Sequence, residues 1–279
     1  MKSLFSATAL SILLAGVAAP ALAQSAPDWS GPYVGVYGGG IGNKDKEDET
    51  LLFDRNLDGV FDETVTTSGG GDAFAPGFCD SGARTPETAG GCQGENGGVE
   101  GSIRAGYDWQ FGNIVAGVVA EWSAVDVSDT VTGFSTTPAN YVFTRDLNDM
   151  AAVRARLGYA AGPALMYVTG GAAYGGVENS FRTTNTANSF VVQKDEDDAD
   201  GWQAGAGIEW RLAPNLSVTG EYLYTSLSTG DYVVRAGNNG STAATNPFIL
   251  APNTAGTDII RSNDEMELHA FRIGMNVRF

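Results

Sequence analysis

The sequence predicts an all-β fold, an eight-stranded antiparallel up-and-down transmembrane β-barrel with long extracellular loops. Three observations predict it. The chain ends in strict period-two alternation, with Phe271, Ile273, Met275, Val277 and Phe279 separated by Arg272, Gly274, Asn276 and Arg278, which describes a strand with one apolar and one polar face. The N-terminus carries an export signal. The connections between successive alternating segments are in turn short and long. In a meander this gathers short turns at one rim and long loops at the other, as in outer-membrane barrels.

Residues 1–23 are expected to be a signal peptide: Lys2, an apolar segment from Leu4 to Pro20, and Ala21-Leu22-Ala23 before a cut at Gln24. The mature chain, 24–279, is expected to form the barrel. Beyond the signal the sequence has no apolar run long enough for a membrane-spanning helix, so an inserted chain must be a closed barrel.

The first strand is read at Gly31–Gly42, where glycines leave room for crowded interior side chains. A long first extracellular loop, about 43–98, follows without sustained periodicity. The second strand alternates from Gly101 to Phe111 and turns at Gly112-Asn113 into the third, whose apolar face runs from Ile114 to Trp122. Val127–Asp149 reads as a polar loop. The fourth strand carries Ala151, Val153, Ala155, Leu157 and Tyr159 on one face, and Ala161-Gly162-Pro163 turns the chain into a Gly/Ala-rich fifth strand, Ala164 to about Val177, whose faces stay unassigned. Ser180–Asp200 reads as a loop. The sixth strand centres on Trp202–Arg211, the turn is Pro214-Asn215, and the seventh runs from Leu216 to Thr225, with Leu223 interrupting its polar face. A last loop, Thr229–Asp264, leads to the eighth strand at His269–Phe279. The alternating end of that strand spans nine residues, close to the roughly 9–11 that a tilted strand needs to cross a bilayer.

Alternation fits a soluble barrel equally well, with its apolar face inward. The aromatics separate the two cases. Trp109, Phe111, Tyr159, Trp210, Phe279 and Tyr33 fall near the short-turn rim, and Trp122, Trp202 and Tyr224 toward the other. Two aromatic belts around an aliphatic band are what a membrane crossing requires. The lumen then receives Arg104, Asp108, Glu121, Arg154, Arg156, Glu209, Arg211, Glu221, Arg272 and Arg278. An eight-stranded barrel is filled by its own side chains, so these charges are expected to pair into a plug or a narrow ion path.

The formal net charge is −17, or −18 once Lys2 leaves with the signal. That balance excludes electrostatic nucleic-acid binding. The acid concentrates in Asp45–Asp80 and Asp195–Asp200, within the loops. Cys79 and Cys92 share one Gly-rich stretch, and in an exported chain a disulfide is the natural reading, closing a loop that stabilises by about 3 kcal/mol. Asp54, Asn56, Asp58, Gly59, the Val60 carbonyl and Asp62 match successive positions of a calcium loop. The twelfth position is Val65, which offers no side-chain oxygen, and Glu63 comes two residues early. Weak Ca2+ binding and an acidic turn held by Asx bonds both remain open; no other cofactor is expected.

The segments Trp29–Gly39, Gly106–Ser123, Ala155–Gly175, Gly201–Trp210, Leu216–Leu227 and the Phe-terminated last strand resemble, in sequence and in order, the OmpA-like, opacity-type outer-membrane β-barrels that alphaproteobacteria carry as surface antigens, often labelled porin family proteins. The resemblance covers most of the barrel and leaves out the loops. It implies residence in the outer membrane among phospholipid and lipopolysaccharide, and delivery by the barrel-assembly machinery, with Phe271, Ile273, Met275, Val277 and Phe279 as the terminal signal. The expected role is envelope integrity or weak passage of small ions. The alternative is recognition of an extracellular partner through the acidic loops. Some eight-stranded barrels are enzymes of surface lipids and need a base beside a nucleophile. Phe271 stands two residues after His269, where a serine would be wanted, and no enzyme is expected.

Overall fold

A computed structural model describes residues 28–43, 49–93 and 97–279. The signal-peptide reading for 1–23 lies outside the described residues. Among these, thirteen strands form: β1 (Gly31–Asn43), β2 (Leu51–Asp54), β3 (Gly77–Cys79), β4 (Gly98–Phe111), β5 (Ile114–Ser135), β6 (Ala139–Ala161), β7 (Ala164–Thr183), β8 (Asn188–Asp195), β9 (Asp198–Ala213), β10 (Leu216–Thr229), β11 (Tyr232–Asn238), β12 (Thr257–Arg261) and β13 (Glu265–Arg278).

Eight of them close an antiparallel ring, β1-β4-β5-β6-β7-β9-β10-β13, with β13 pairing back onto β1 from Tyr33↔Arg278 to Asn43↔Leu268. Closure satisfies every ladder without leaving an edge in lipid. The eight strands and three short turns are those the alternation predicts. On the outer wall Val36, Ile103, Val153, Val168, Ile208 and Ile273 form an exposed aliphatic band. Trp109, Phe111, Tyr159, Trp210 and Phe279 ring the short-turn rim, with Trp122 and Trp202 on the far side. The faces of β7 resolve as Leu165, Tyr167, Ala173 and Val177 inward and Met166, Val168 and Tyr174 outward.

Three expected loops contain strands. Val127–Asp149 belongs to β5 and β6, which pair from Val127↔Leu147 to Ser135↔Ala139, well beyond the aromatic belt. Its polar residues are interleaved with β-branched Val and Thr, which suit a pleated surface. A bulge at Asn148–Asp149 shifts the register, so Leu147 and Met150 both turn inward and the alternation is broken at that point. Ser180–Asp200 contains the end of β7 and β8. Thr229–Asp264 contains β11, β12 and a 3-10 turn at Pro247–Ile249.

These outer strands build a second unit. β2, β12, β11 and β8 make a four-stranded sheet. It packs with the β5–β6 extension around an aromatic core of Phe53, Phe74, Tyr141, Phe143, Tyr232 and Phe248. The long loops are therefore a folded head on the barrel mouth. Cys79 and Cys92 are bonded, with Cα atoms 5.5 Å apart, and pin the segment that follows β3.

Candidate functional site

The inward residues of β13 read, from the short-turn rim upward, Arg278, Asn276, Gly274, Arg272, Ala270, Leu268 and Met266. The lumen follows that order: a charged lower half under an apolar upper half.

The lower half holds two charge layers. In the first, Arg156 meets Glu209 at 2.5 Å and Asp108 at 3.5 Å, while Arg278 meets Asp108 at 2.8 Å. In the second, Arg104 reaches Glu121 and Glu221, each at 2.6 Å. Arg272 reaches Glu121 at 2.8 Å, Glu221 at 2.7 Å and Glu100 at 3.5 Å, and Arg154 lies 3.2 Å from Glu121. Arg104↔Glu121 and Glu221↔Arg272 are direct cross-strand partners. Two arginines balance two carboxylates below, and three balance three above, so neither layer buries a net charge. A buried ion needs this matching, since breaking one partner out of a buried pair costs about 3–5 kcal/mol.

Tyrosines fix the arginine planes. Tyr37 lies across from Gly274, Tyr167 from Gly207 and Tyr33 from Gly106. Each ring occupies the space a Cβ on its glycine would need. Flattened on the wall, the rings carry Arg104 over Tyr37 at 3.7 Å and Arg156 over Tyr167 at 3.9 Å, in cation–π contact. Tyr33 was expected in the lower belt. It faces inward and is buried, because on β1 the lipid-facing residues are Val34 and Val36.

Nine of the ten expected lumen charges enter these layers. Arg211 does not. It sits at the rim, stacked 4.3 Å from the Trp29 ring and donating to the carbonyl of Asp28 at 2.9 Å. Below the charges Trp29, Val115, Ala160, Leu165 and Tyr167 pack together. Above them Ile41, Val127, Leu147, Met150, Leu223, Leu227, Met266 and Leu268 fill the bore. Leu223, which breaks the polar face in sequence, was the one signal of this apolar half. Glu100, the interior tyrosines and this second layer type were missed.

Over the apolar layer a third charge cluster joins head to barrel. Arg261 of β12 takes Glu49 through two bonds of 2.7 Å and Asp129 of β5 at 3.0 Å; Arg145 of β6 takes Asp129 at 2.5 Å. Asp80 lies against this group, and burial together with the neighbouring Glu49 and Asp129 carboxylates raises its pKa to about 6.

The Asp54 motif is a turn closed on itself. Asp54 Oδ1 accepts from the amide of Leu57 at 2.5 Å and Oδ2 from that of Gly59 at 2.8 Å; Asn56 Oδ1 accepts from the amide of Asp58 and Asp58 Oδ1 from that of Val60, both at 2.8 Å. Among the described residues no three acidic, His or Cys side chains, Asp62 included, gather as metal ligands. Val65, in place of a twelfth-position ligand, is buried in the head's core. His269 is on the lipid-facing side, its Nδ1 2.7 Å from the Tyr222 hydroxyl. The terminal residues Phe271, Ile273, Met275 and Phe279 face outward.

The outer membrane protein β-barrel domain family matches residues 9–279. The chain belongs to that family. Its relatives include the 31 kDa outer-membrane immunogenic protein of Brucella melitensis, 28% identical over 94% of this chain and 90% of that protein. The 22 kDa outer membrane protein of Rhizobium leguminosarum bv. viciae is 31% identical over 50% of this chain and 58% of its own length. Among solved structures OprG of Pseudomonas aeruginosa aligns over 90% of this chain and 97% of its own, at 12% identity and a TM-score of 0.47. As a family member this protein is an outer-membrane β-barrel protein.

Proposed function

We propose that this protein is a closed structural barrel that contributes to envelope integrity and holds a folded recognition head at the cell surface. The observation that carries the reading is the filled lumen. From Trp29 to Leu227 successive layers are apolar, charge-paired and apolar again, and Arg154, Glu209, Leu147 and Leu227 are all within 1% of complete burial. A conducting pore needs a continuous wet path, and the side chains named occupy the place where it would run. The head supports the second half of the reading, because a loop set that merely linked strands would need no aromatic core of its own. No catalysis belongs to this reading.

The test is single-channel recording of the refolded mature protein in a planar bilayer, with folding checked by heat-dependent gel migration. A silent bilayer with a folded band is expected. Discrete, reproducible steps would make the protein a weak porin and the Arg/Glu layers its filter. Cells carrying the barrel with its four outer connections shortened separate the two halves: they should keep detergent resistance and lose adhesion to matrix or cells.

A further inference from the structure

β8 (Asn188–Asp195) is the last strand of the outer sheet. It pairs with β11 on one side, and among the described residues no strand pairs with it on the other. The direction of its backbone groups follows from β11. The Ala236 carbonyl points to β12, where it lies 2.8 Å from the place of a Cβ on Gly256. The Gly237 carbonyl points the other way and accepts from Asn188 Nδ2 at 3.1 Å. In an antiparallel ladder this direction alternates along the strand. Arg235 and Gly237 therefore face β8, and their partners Val191 and Ser189 face back. The N–H and C=O groups of Phe190 and Val192 are left pointing out of the sheet, roughly 7 Å apart.

This edge is accessible. Val191 is 56% and Val192 47% exposed, although they point to opposite faces. Edge strands are commonly guarded by a bulge or a lysine. Here both lie past Val192. Gln193 is the extra residue of a bulge, and Lys194 is held by Glu196 at 3.1 Å and Asp231 at 2.9 Å. Residues 189–192 carry no charge, whereas residues 194–200 hold five acids and one lysine, all exposed.

Two features select the occupant. Outward backbone groups at two-residue spacing are matched by another extended backbone, and the acid at the lower end attracts a cationic one. A second copy of this chain does not fit. β8 descends from the outer turn at 184–187 to the start of β9 at the barrel mouth. Copies in one membrane are related by rotation about its normal, so their β8 edges meet in parallel and in register, each acidic run against its twin. Like charges so placed are destabilising.

We infer that the free edge of β8 takes up an extended segment of another polypeptide as a fifth strand of the outer sheet, with lysine or arginine where that segment passes residues 195–198. This rests on the recognition reading above and names its partner class.

The experiment uses the full mature chain refolded in detergent, titrated by fluorescence anisotropy with two labelled heptapeptides. One has two lysines before alternating threonine and valine, and the other is its reverse, because a strand can add in either direction. Each is compared with a form whose lysines are glutamates and with forms N-methylated at either alternate set of amides. Val192→Pro removes an outward N–H and leaves the β11 ladder intact. Asp195→Lys combined with Asp197→Lys reverses the local charge. Gel migration and near-ultraviolet circular dichroism of the aromatic core confirm the folding of both variants. Saturable binding of at least one lysine peptide is expected. It should weaken at least about tenfold, some 1.4 kcal/mol, on N-methylation of one set of amides, in Val192→Pro, on charge reversal and with glutamate in the peptide. No saturable binding, binding indifferent to N-methylation or to Val192→Pro, or equal binding of the glutamate peptide would overturn the inference. So would a dimer of the free protein, seen by sedimentation, that Val192→Pro dissociates. Adhesion assays keep the two readings apart. Head-dependent adhesion that survives Val192→Pro sinks strand addition and leaves recognition standing. Absence of head-dependent adhesion removes the recognition reading itself.

Discussion

Gly274 faces Tyr37 across the seam that closes the barrel, and the tyrosine ring lies where any side chain at 274 would go. The ring in turn carries the Arg104 guanidinium and donates to Asn276 Oδ1 at 2.9 Å. Gly274→Val must displace the ring and lift Arg104 from it. Overpacking of this kind costs about 1–3 kcal/mol. The expected result is a lower midpoint for heat-dependent gel migration, whereas Gly220→Val, where a Cβ meets open space, should leave the midpoint nearly unchanged.

Glu221 is the shared partner of Arg104 and Arg272. Glu221→Gln keeps the shape and removes the charge, so the upper layer becomes one positive charge in excess. A loss of about 3–5 kcal/mol is expected, read as a shift in urea unfolding of the refolded barrel. Combining it with Arg272→Met should recover part of the loss.

The charge cluster under the head gives a pH dependence with a definite sign. The Asp80 pKa is raised from 3.8 to about 6, so the folded head holds a proton there that the unfolded chain releases. Its stabilising share is complete below about pH 4 and is lost as pH rises through 6. Hydrogen-exchange protection of the first connection, taken relative to the intrinsic exchange rate at each pH, should therefore be greater at pH 5 than at pH 7.5. Asp80→Asn should abolish that difference, and an unchanged difference in the variant would place its origin elsewhere.

Two covalent and ionic features of the first connection separate cleanly. Cys79→Ser should loosen the segment it pins, on the scale of about 3 kcal/mol for a loop of 13 residues, seen as faster proteolysis while the barrel still shifts on gels. Chelation should change nothing in the Asp54 turn, because its carboxylates accept from their own backbone amides. Calcium-dependent protection of that turn from protease would contradict this.

The barrel was legible because lipid enforces period two along every strand, from Ile103-Ala105-Tyr107 to Phe271-Ile273-Met275. The charged lumen was legible for the same reason. Above the membrane both faces of a strand meet protein or water in changing proportion, and alternation fades. Val131, Thr132, Gly133 and Phe134 are buried in succession, and the bulge at Asn148–Asp149 reverses the phase of β6. The Asp54 motif was ambiguous for a related reason: a linear string shows the spacing of its oxygens, whereas the fold uses Asp54 to close a turn and Val65 to fill a core.

The four-stranded outer sheet draws β2 from the first connection, β8 from the third, and β11 and β12 from the last. Leu51–Asp54 and Thr257–Arg261 become neighbours although some two hundred residues separate them. An antibody raised against the intact head would meet a discontinuous epitope. Synthetic peptides copied from any single connection would present only a fragment of it, and boiling the antigen would abolish recognition even though every loop sequence survives.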